Sequence, residues 1–224
     1  MIGTRALLDK ELTHIRDNII RLGDMVDKSI EKAMEALSNR DAFLAQAVVD
    51  GDEEVNHLRY EIEQECLRVL ATQQPAAVDL RTVIAAIHLT VELERIGDHA
   101  SGIARLVERL DMEDEIDSLH KLPKMAKRAR QMVQEGITAF IDHDADLAHN
   151  MIKQDDKIDK QYRRLFRETI EEMKLEEYVR RATFLLWAGH NLERIGDRAT
   201  NIAERVIFMV TGEFVEVPLD TEDD

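Results

Sequence analysis

The residues that could do chemistry in this chain lie in a stretch that occurs twice. Leu93-Glu94-Arg95-Ile96-Gly97-Asp98 returns residue for residue as Leu192-Glu193-Arg194-Ile195-Gly196-Asp197, 99 positions later. The likeness runs on through Ala100/Ala199, Ser101/Thr200, Ile103/Ile202 and Ala104/Ala203. Repetition of this length marks two copies of one structural unit. Each copy places a Glu and an Asp four residues apart, so on a helix both carboxylates share one face. Leu80, Ile84, Ile87 and Val91 recur in three- and four-residue steps and lead into Glu94 and Asp98. Val179, Leu186 and His190 lead likewise into Glu193 and Asp197. The acids thus continue an apolar ridge, and a carboxylate withdrawn from water is disfavoured unless it takes a proton or meets a cation.

A second polar pair precedes each copy. Leu44, Val48, Asp52, Val55 and Asn56 map, at an offset of 103, onto Leu147, Met151, Asp155, Ile158 and Asp159. Two facing helices would then oppose Asp52 and Asn56 to Glu94 and Asp98 in the first half, and Asp155 and Asp159 to Glu193 and Asp197 in the second. Oxygen-rich sets of this kind suit hard cations. The expectation is therefore sites for divalent or trivalent metal ions, with Mg, Mn, Fe and Zn as candidates. Asn56 ligates without charge where Asp159 carries one, so the second site is expected to bind metal more tightly.

Other chemistries have less behind them. The acids could pair with Arg95 and Arg194 as surface ion pairs, since helices rich in Glu and Arg form these routinely. His190 could add a nitrogen ligand, but reads first as a helix-face histidine with a water or carboxylate partner. His88 and His99 lie off the acid ridge. Asp155-Asp156-Lys157-Ile158-Asp159 matches an Asp-Asp-x-x-Asp pattern that holds Mg²⁺ and a diphosphate. Its first-half counterpart, Asp52-Glu53-Glu54-Val55-Asn56, does not match, and the sequence shows no basic pocket. A metal-dependent helical enzyme acting on a phosphorylated or diphosphate substrate is thus the alternative function. The Glu-x-x-His pairs of a di-iron bundle are missing from both copies of the repeat. With no Ser or Cys nucleophile and no phosphate-cradling Gly-rich loop, the chain reads as a non-enzyme.

The elements that must position these acids are all helical. Nine Gly and three Pro in 224 residues, with 4% aromatics, favour an all-α fold. Helices are expected over 6–39, 42–72, 76–110, 119–142, 145–173 and 176–210. Asp41 and Asp144 serve as N-caps, Pro75 as a break and Gly212 as a stop. Leu12, Ile15, Ile19, Leu22, Val26, Ile30, Ala33 and Leu37 form one core stripe. Leu89, Leu93, Ile96, Ala100, Ile103, Val107 and Leu110 form a second stripe opposite the acids, so that helix is sandwiched. The result is two tandem three-helix bundles related by a pseudo-twofold. The first repeat spans 1–111, a connector 112–118, the second repeat 119–212 and an acidic tail 213–224.

A formal net charge of −16 argues against nucleic acid and against anionic lipid, and suits cations or basic partners. Cys66 is the only cysteine, and no apolar run reaches the ~20 residues of a membrane span, so a cytoplasmic protein without membrane insertion is expected.

These motifs resemble the PhoU family, phosphate-specific transport accessory proteins of bacteria, over nearly the whole length. The likeness rests on the doubled Leu-Glu-Arg-Ile-Gly-Asp, on Gly51-Asp52-Glu53-Glu54-Val55-Asn56, on Gln74-Pro75 leading to Asp79-Leu80-Arg81, and on Gln154 through Asp159. The second half has no match for Pro75 and Asp79. The resemblance implies two three-helix bundles with multinuclear metal clusters at the eight residues above. It also implies an adaptor between the ATPase subunit of a phosphate ABC importer and its sensor histidine kinase. Such an adaptor is a negative regulator of the phosphate-starvation response that restrains uptake. A homodimer is expected, with no stripe assignable to its interface.

Overall fold

The computed structural model describes residues 2–110 and 119–215, with side chains from Arg5 onward. The expected connector and the tail beyond Val215 lie outside the described residues. The elements are α1 (Ile2–Asn39), α2 (Ala42–Gln73), α3 (Ala77–Ala104), α4 (Leu106–Leu110), α5 (Leu122–Asp142), α6 (Ala145–Glu172), a 3-10 turn (Glu176–Tyr178) and α7 (Val179–Thr211).

The corners between α1 and α2 and between α5 and α6 are one turn made twice. Arg40 (φ 53°) and His143 (φ 54°) take the left-handed conformation. The next N–H, of Asp41 or Asp144, donates to the carbonyl of Ala36 or Ala139 at 3.0 and 2.9 Å. The Asp41 and Asp144 carboxylates then cap the following helices by accepting from Leu44 N and Leu147 N, both at 2.9 Å. Gly212, at φ 80°, ends α7 with its N–H on Phe208 O at 2.8 Å.

Three boundaries differ from expectation. The third helix breaks at Arg105, whose N–H turns to the carbonyls of Ser101 and Ile103, tightening the turn before α4. The helix expected from 119 starts at Leu122, because Pro123 has no N–H and fits only in a first turn. The segment expected to begin the last helix closes first as a 3-10 turn, with Tyr178 N on Leu175 O at 3.0 Å.

α3 and α7 form the centre. They pack on each other, α3 also on α1 and α2, α7 also on α5 and α6, and α1 meets α5 across the halves. The stripe from Leu89 to Leu110 is buried throughout, as a sandwiched helix requires, and so is that of α1 from Ile15 to Leu37. The pseudo-twofold is visible in the polar contacts between α3 and α7. Glu92 accepts from Arg198 Nη1 at 3.5 Å and Asn201 Nδ2 at 3.2 Å. Shifted by 99, Glu92 and His99 become Asn191 and Arg198; His99 Nδ1 and Asn191 Oδ1 lie 3.1 Å apart. Each contact is thus the image of the other. Gly102, the image of Asn201, leaves room for the Asn191 amide, which would lie 2.8 Å from a Cβ there. Arg130 of α5 adds a bidentate clasp on Asp27 of α1 at 2.8 and 2.7 Å.

Candidate metal centres

In the second half, α6 crosses α7 at the repeat's glycine. A Cβ on Gly196 would lie 2.8 Å from Asp155 Oδ1 and 3.0 Å from Ile158 Cδ1. The glycine therefore lets α6 lower Asp155 onto the α7 backbone. Burial, then the charges of Asp159 and Asp197, push the Asp155 carboxyl up to about 7. Its Oδ1 and the nearby Thr200 Oγ1 are buried with no aligned hydrogen bond, although the Thr200 hydroxyl works against the shift. Glu193 is also raised, by burial first and Asp197 second. Its Oε2 is buried and makes no aligned hydrogen bond, although His190 Nδ1 approaches to 3.0 Å. Arg194 Nη1 donates to Asp197 Oδ2 at 3.0 Å.

The first half repeats this more loosely. A Cβ on Gly97 would lie 3.4 Å from Asp52 Oδ1 and 3.3 Å from Val55 Cγ1. Asp52 is raised above the ordinary carboxylate range by burial and then by Asp98, with the Ser101 hydroxyl working against the shift. Glu94 is raised by burial and then by Asp98. Arg59 Nη1 stands 4.0 Å from Glu94 Oε1 while its Nη2 donates to Glu63 at 3.1 Å. Asn56 and Asp159 are partly buried one turn beyond Asp52 and Asp155, and Asp98 is exposed.

The PhoU domain pattern matches this chain twice, over residues 19–107 and 122–206. The chain belongs to the PhoU family. It is similar to the "Phosphate-specific transport system accessory protein PhoU homolog" of Clostridium acetobutylicum, 33% identical over 216 residues, 96% of this chain and 99% of that one. The homolog of Pseudomonas aeruginosa is 38% identical over 204 residues, 90% of this chain and 84% of the relative. Two crystal structures share the fold. PhoU from Pseudomonas aeruginosa has a TM-score of 0.86 at 37% identity, covering 92% of this chain and 99% of its own. The phosphate transport system regulatory protein PhoU from Streptococcus pneumoniae has 0.87 at 33%, covering 94% and 100%.

Against the expectations for this PhoU-family chain, the acid ridges differ in burial. They run along the grooves between α2 and α3 and between α6 and α7, at the edge of the core. Leu80 and Val179 are 36% and 39% exposed, and Ile84, Ile87, Val91 and Leu186 are partly buried. A helix that spends one full stripe on its central partner leaves the opposite ridge only the flank of its other neighbour. Among the described residues, no three His, Cys, Asp or Glu side chains converge as a ready cation cage. Like charges separate when nothing positive stands between them, and Arg194 draws Asp197 aside. The surface-pair alternative is thus partly realised at Arg194, whereas Arg95 meets Glu92, at 3.6 Å, rather than Glu94. His190 finds the carboxylate partner expected of a helix-face histidine.

The residues nevertheless fit a hard cation. The donor set in each groove is carboxylate oxygen plus an amide or hydroxyl, and the second groove holds buried oxygens on Asp155, Glu193 and Thr200 that make no aligned hydrogen bond. A bound ion there would supply positive charge where this chain has removed water. Sequence reasoning missed Ser101 and Thr200, buried polar residues beside Asp52 and Asp155. Their place in the repeat's continuation was the available signal. It also missed a basic hollow on α6, lined by Lys160, Tyr162, Arg163, Phe166 and Arg167, where no basic pocket was expected. At about 100° per residue those three cations lie roughly 80–140° around α6 from Asp155. They do not face the Asp155/Asp159 carboxylates as a metal-bridged diphosphate would need.

Proposed function

We propose that this chain is a cytoplasmic accessory regulator of phosphate transport that holds metal ions in its two interhelical grooves. In this reading it links the ATPase subunit of a phosphate ABC importer to a sensor histidine kinase, restrains uptake and keeps the phosphate-starvation response off. It acts as a homodimer and carries out no catalysis. The names of its relatives, accessory proteins of phosphate transport, support the transport role. The absence of a helix long and apolar enough to cross a membrane among the described residues is compatible with a peripheral partner. The observation that carries the metal reading is the Asp155 carboxyl, lowered between helices with a buried oxygen that makes no aligned hydrogen bond and two further carboxylates against it.

Elemental analysis of protein purified without chelator, followed by titration of Asp98→Ala and Asp197→Ala variants, tests this. Metal bound near stoichiometrically is expected. Asp98→Ala, which leaves the second groove intact, should retain the higher residual affinity. Metal-free native protein, or equal affinities in both variants, would remove the sites from the proposal. For the adaptor role, purified importer ATPase and the kinase's cytoplasmic part should each bind the chain, and its deletion should raise starvation-gene expression in high phosphate. Binding to neither partner overturns that role.

A further inference from the structure

The two grooves share one plan and differ in charge. In the first, six positions of the repeat are Asp52, Asn56 and Arg59 on α2 with Val91, Glu94 and Asp98 on α3. At offsets of 103 and 99 they become Asp155, Asp159 and Tyr162 on α6 with His190, Glu193 and Asp197 on α7. Three carboxylates and one guanidinium give the first set a formal charge of −2, and four carboxylates give the second −4, with His190 counted neutral. Half of that difference is Asn56 for Asp159. The other half is Arg59, a cation one turn beyond Asn56 where the second groove has a phenol.

The structure holds Arg59 in place as a fixed charge. Its side chain is 19% exposed. The guanidinium lies 4.7 Å from the centroid of the Tyr60 ring, and Nη2 donates to Glu63 Oε1 at 3.1 Å. Nη1 stands 4.0 Å from Glu94 Oε1, and Nε is buried with no aligned hydrogen bond. A guanidinium stays charged at any pH the protein meets, so no proton can remove it from the groove. Of the charges around Glu94 it does the most to favour the ionised form. Arg105 acts on Asp52 in the same sense. Tyr162 brings no charge; its ring centroid lies 6.1 Å from that of His190. The repeat's own arginine does not separate the grooves, since Arg95 and Arg194 stand at equivalent positions. A divalent ion entering the first groove therefore meets a cation already beside Glu94, which repels it across a partly buried gap. Moving that cation aside means giving up its contacts with Glu63 and Tyr60.

We propose that Arg59 is the resident counter-ion of the first groove, a specificity-determining residue that stands in for metal at Glu94 and lowers the groove's affinity for divalent ions, so that the second groove fills first. One half of the molecule is then set by its own side chains and the other by the ion it binds. The proposal rests on the metal reading above.

The test titrates Mn²⁺ into the chelator-treated full-length chain near neutral pH by calorimetry, with the free ion followed by electron paramagnetic resonance. Asp155→Asn serves as the parent in which the first groove is read, because it removes the central carboxylate of the second. In that parent Arg59→Tyr should raise affinity at least tenfold, whereas Arg59→Lys, which keeps the charge, should stay within about threefold. In the otherwise unmodified chain Tyr162→Arg should lower the second groove's affinity at least tenfold. Without metal, Arg59→Tyr should lower the urea midpoint, and Mn²⁺ should then raise it by more than it raises that of the parent. Lost packing on Tyr60 alone cannot produce that extra gain. An Arg59→Tyr groove that stays empty or binds within about threefold of its parent, or a Lys variant that gains as much as the Tyr variant, overturns the counter-ion role, while Mn²⁺ in the second groove keeps the metal reading. Absence of Mn²⁺ binding by the unmodified chain and by every variant overturns both.

Discussion

Replacing Asp155 with Asn should stabilise the metal-free protein, and by an amount that grows with pH. In the fold this carboxyl is pushed from 3.8 up to about 7, chiefly by burial and then by Asp159 and Asp197. A group whose folded-state pKa is raised contributes stability below its unfolded pKa, and that contribution is lost as pH climbs through the folded value. At 1.36 kcal/mol per unit, the cost of holding Asp155 ionised grows from about 0.5 kcal/mol near pH 4 to about 4 kcal/mol near pH 8. Asn carries no charge at any pH and nearly the same shape, so the variant escapes this cost. Urea denaturation in chelator, followed by circular dichroism, should show the two proteins nearly level at pH 4. At pH 8 the variant should be ahead by about 2–4 kcal/mol, which for a chain of this size is a melting difference of roughly 5–15 °C. Adding Mn²⁺ or Mg²⁺ at pH 8 should reverse the order, because only the ionised carboxylate gains a cation. A gap that is the same at both pH values, or a variant less stable at pH 8 without metal, would refute the reasoning.

Gly196→Ala should destabilise by roughly 1–3 kcal/mol, more than Gly97→Ala, because the added methyl meets Asp155 Oδ1 at 2.8 Å rather than Asp52 Oδ1 at 3.4 Å; equal urea midpoints would contradict this. Glu92→Ala strands the donors of Arg198 and Asn201 and should cost about 1–3 kcal/mol. Asn191→Ala loses the contact with His99 and the amide's exposed hydrogen bond to Trp187 O, both between neutral groups, and should cost about 0.5–1.5 kcal/mol by the same assay. Cys66 is buried, with its thiol pushed up to about 12. It should ignore a disulfide thiol reagent in the native protein and react once when urea is added.

Much of this molecule is written in its residue order. Helix periodicity, the Asp41 and Asp144 caps, the offsets of 99 and 103, and the shared face of Glu94 with Asp98 and of Glu193 with Asp197 are local properties, set by rotation per residue and by backbone hydrogen bonding. The doubled motif was enough to indicate the family. What the order of residues left open are quantities that depend on distances between helices. It did not say that the acid ridges border water, that α6 presses Asp155 closer to Gly196 than α2 presses Asp52 to Gly97, or that Glu92–Arg198 and Asn191–His99 are images across the central pair. Nor did it say that Lys160, Arg163 and Arg167 would be left without internal partners around Phe166. Desolvation and Coulomb energies follow from what stands across the groove. Only the packed fold brings those groups opposite one another, so only the fold decides which carboxylates are strained and which cations are free.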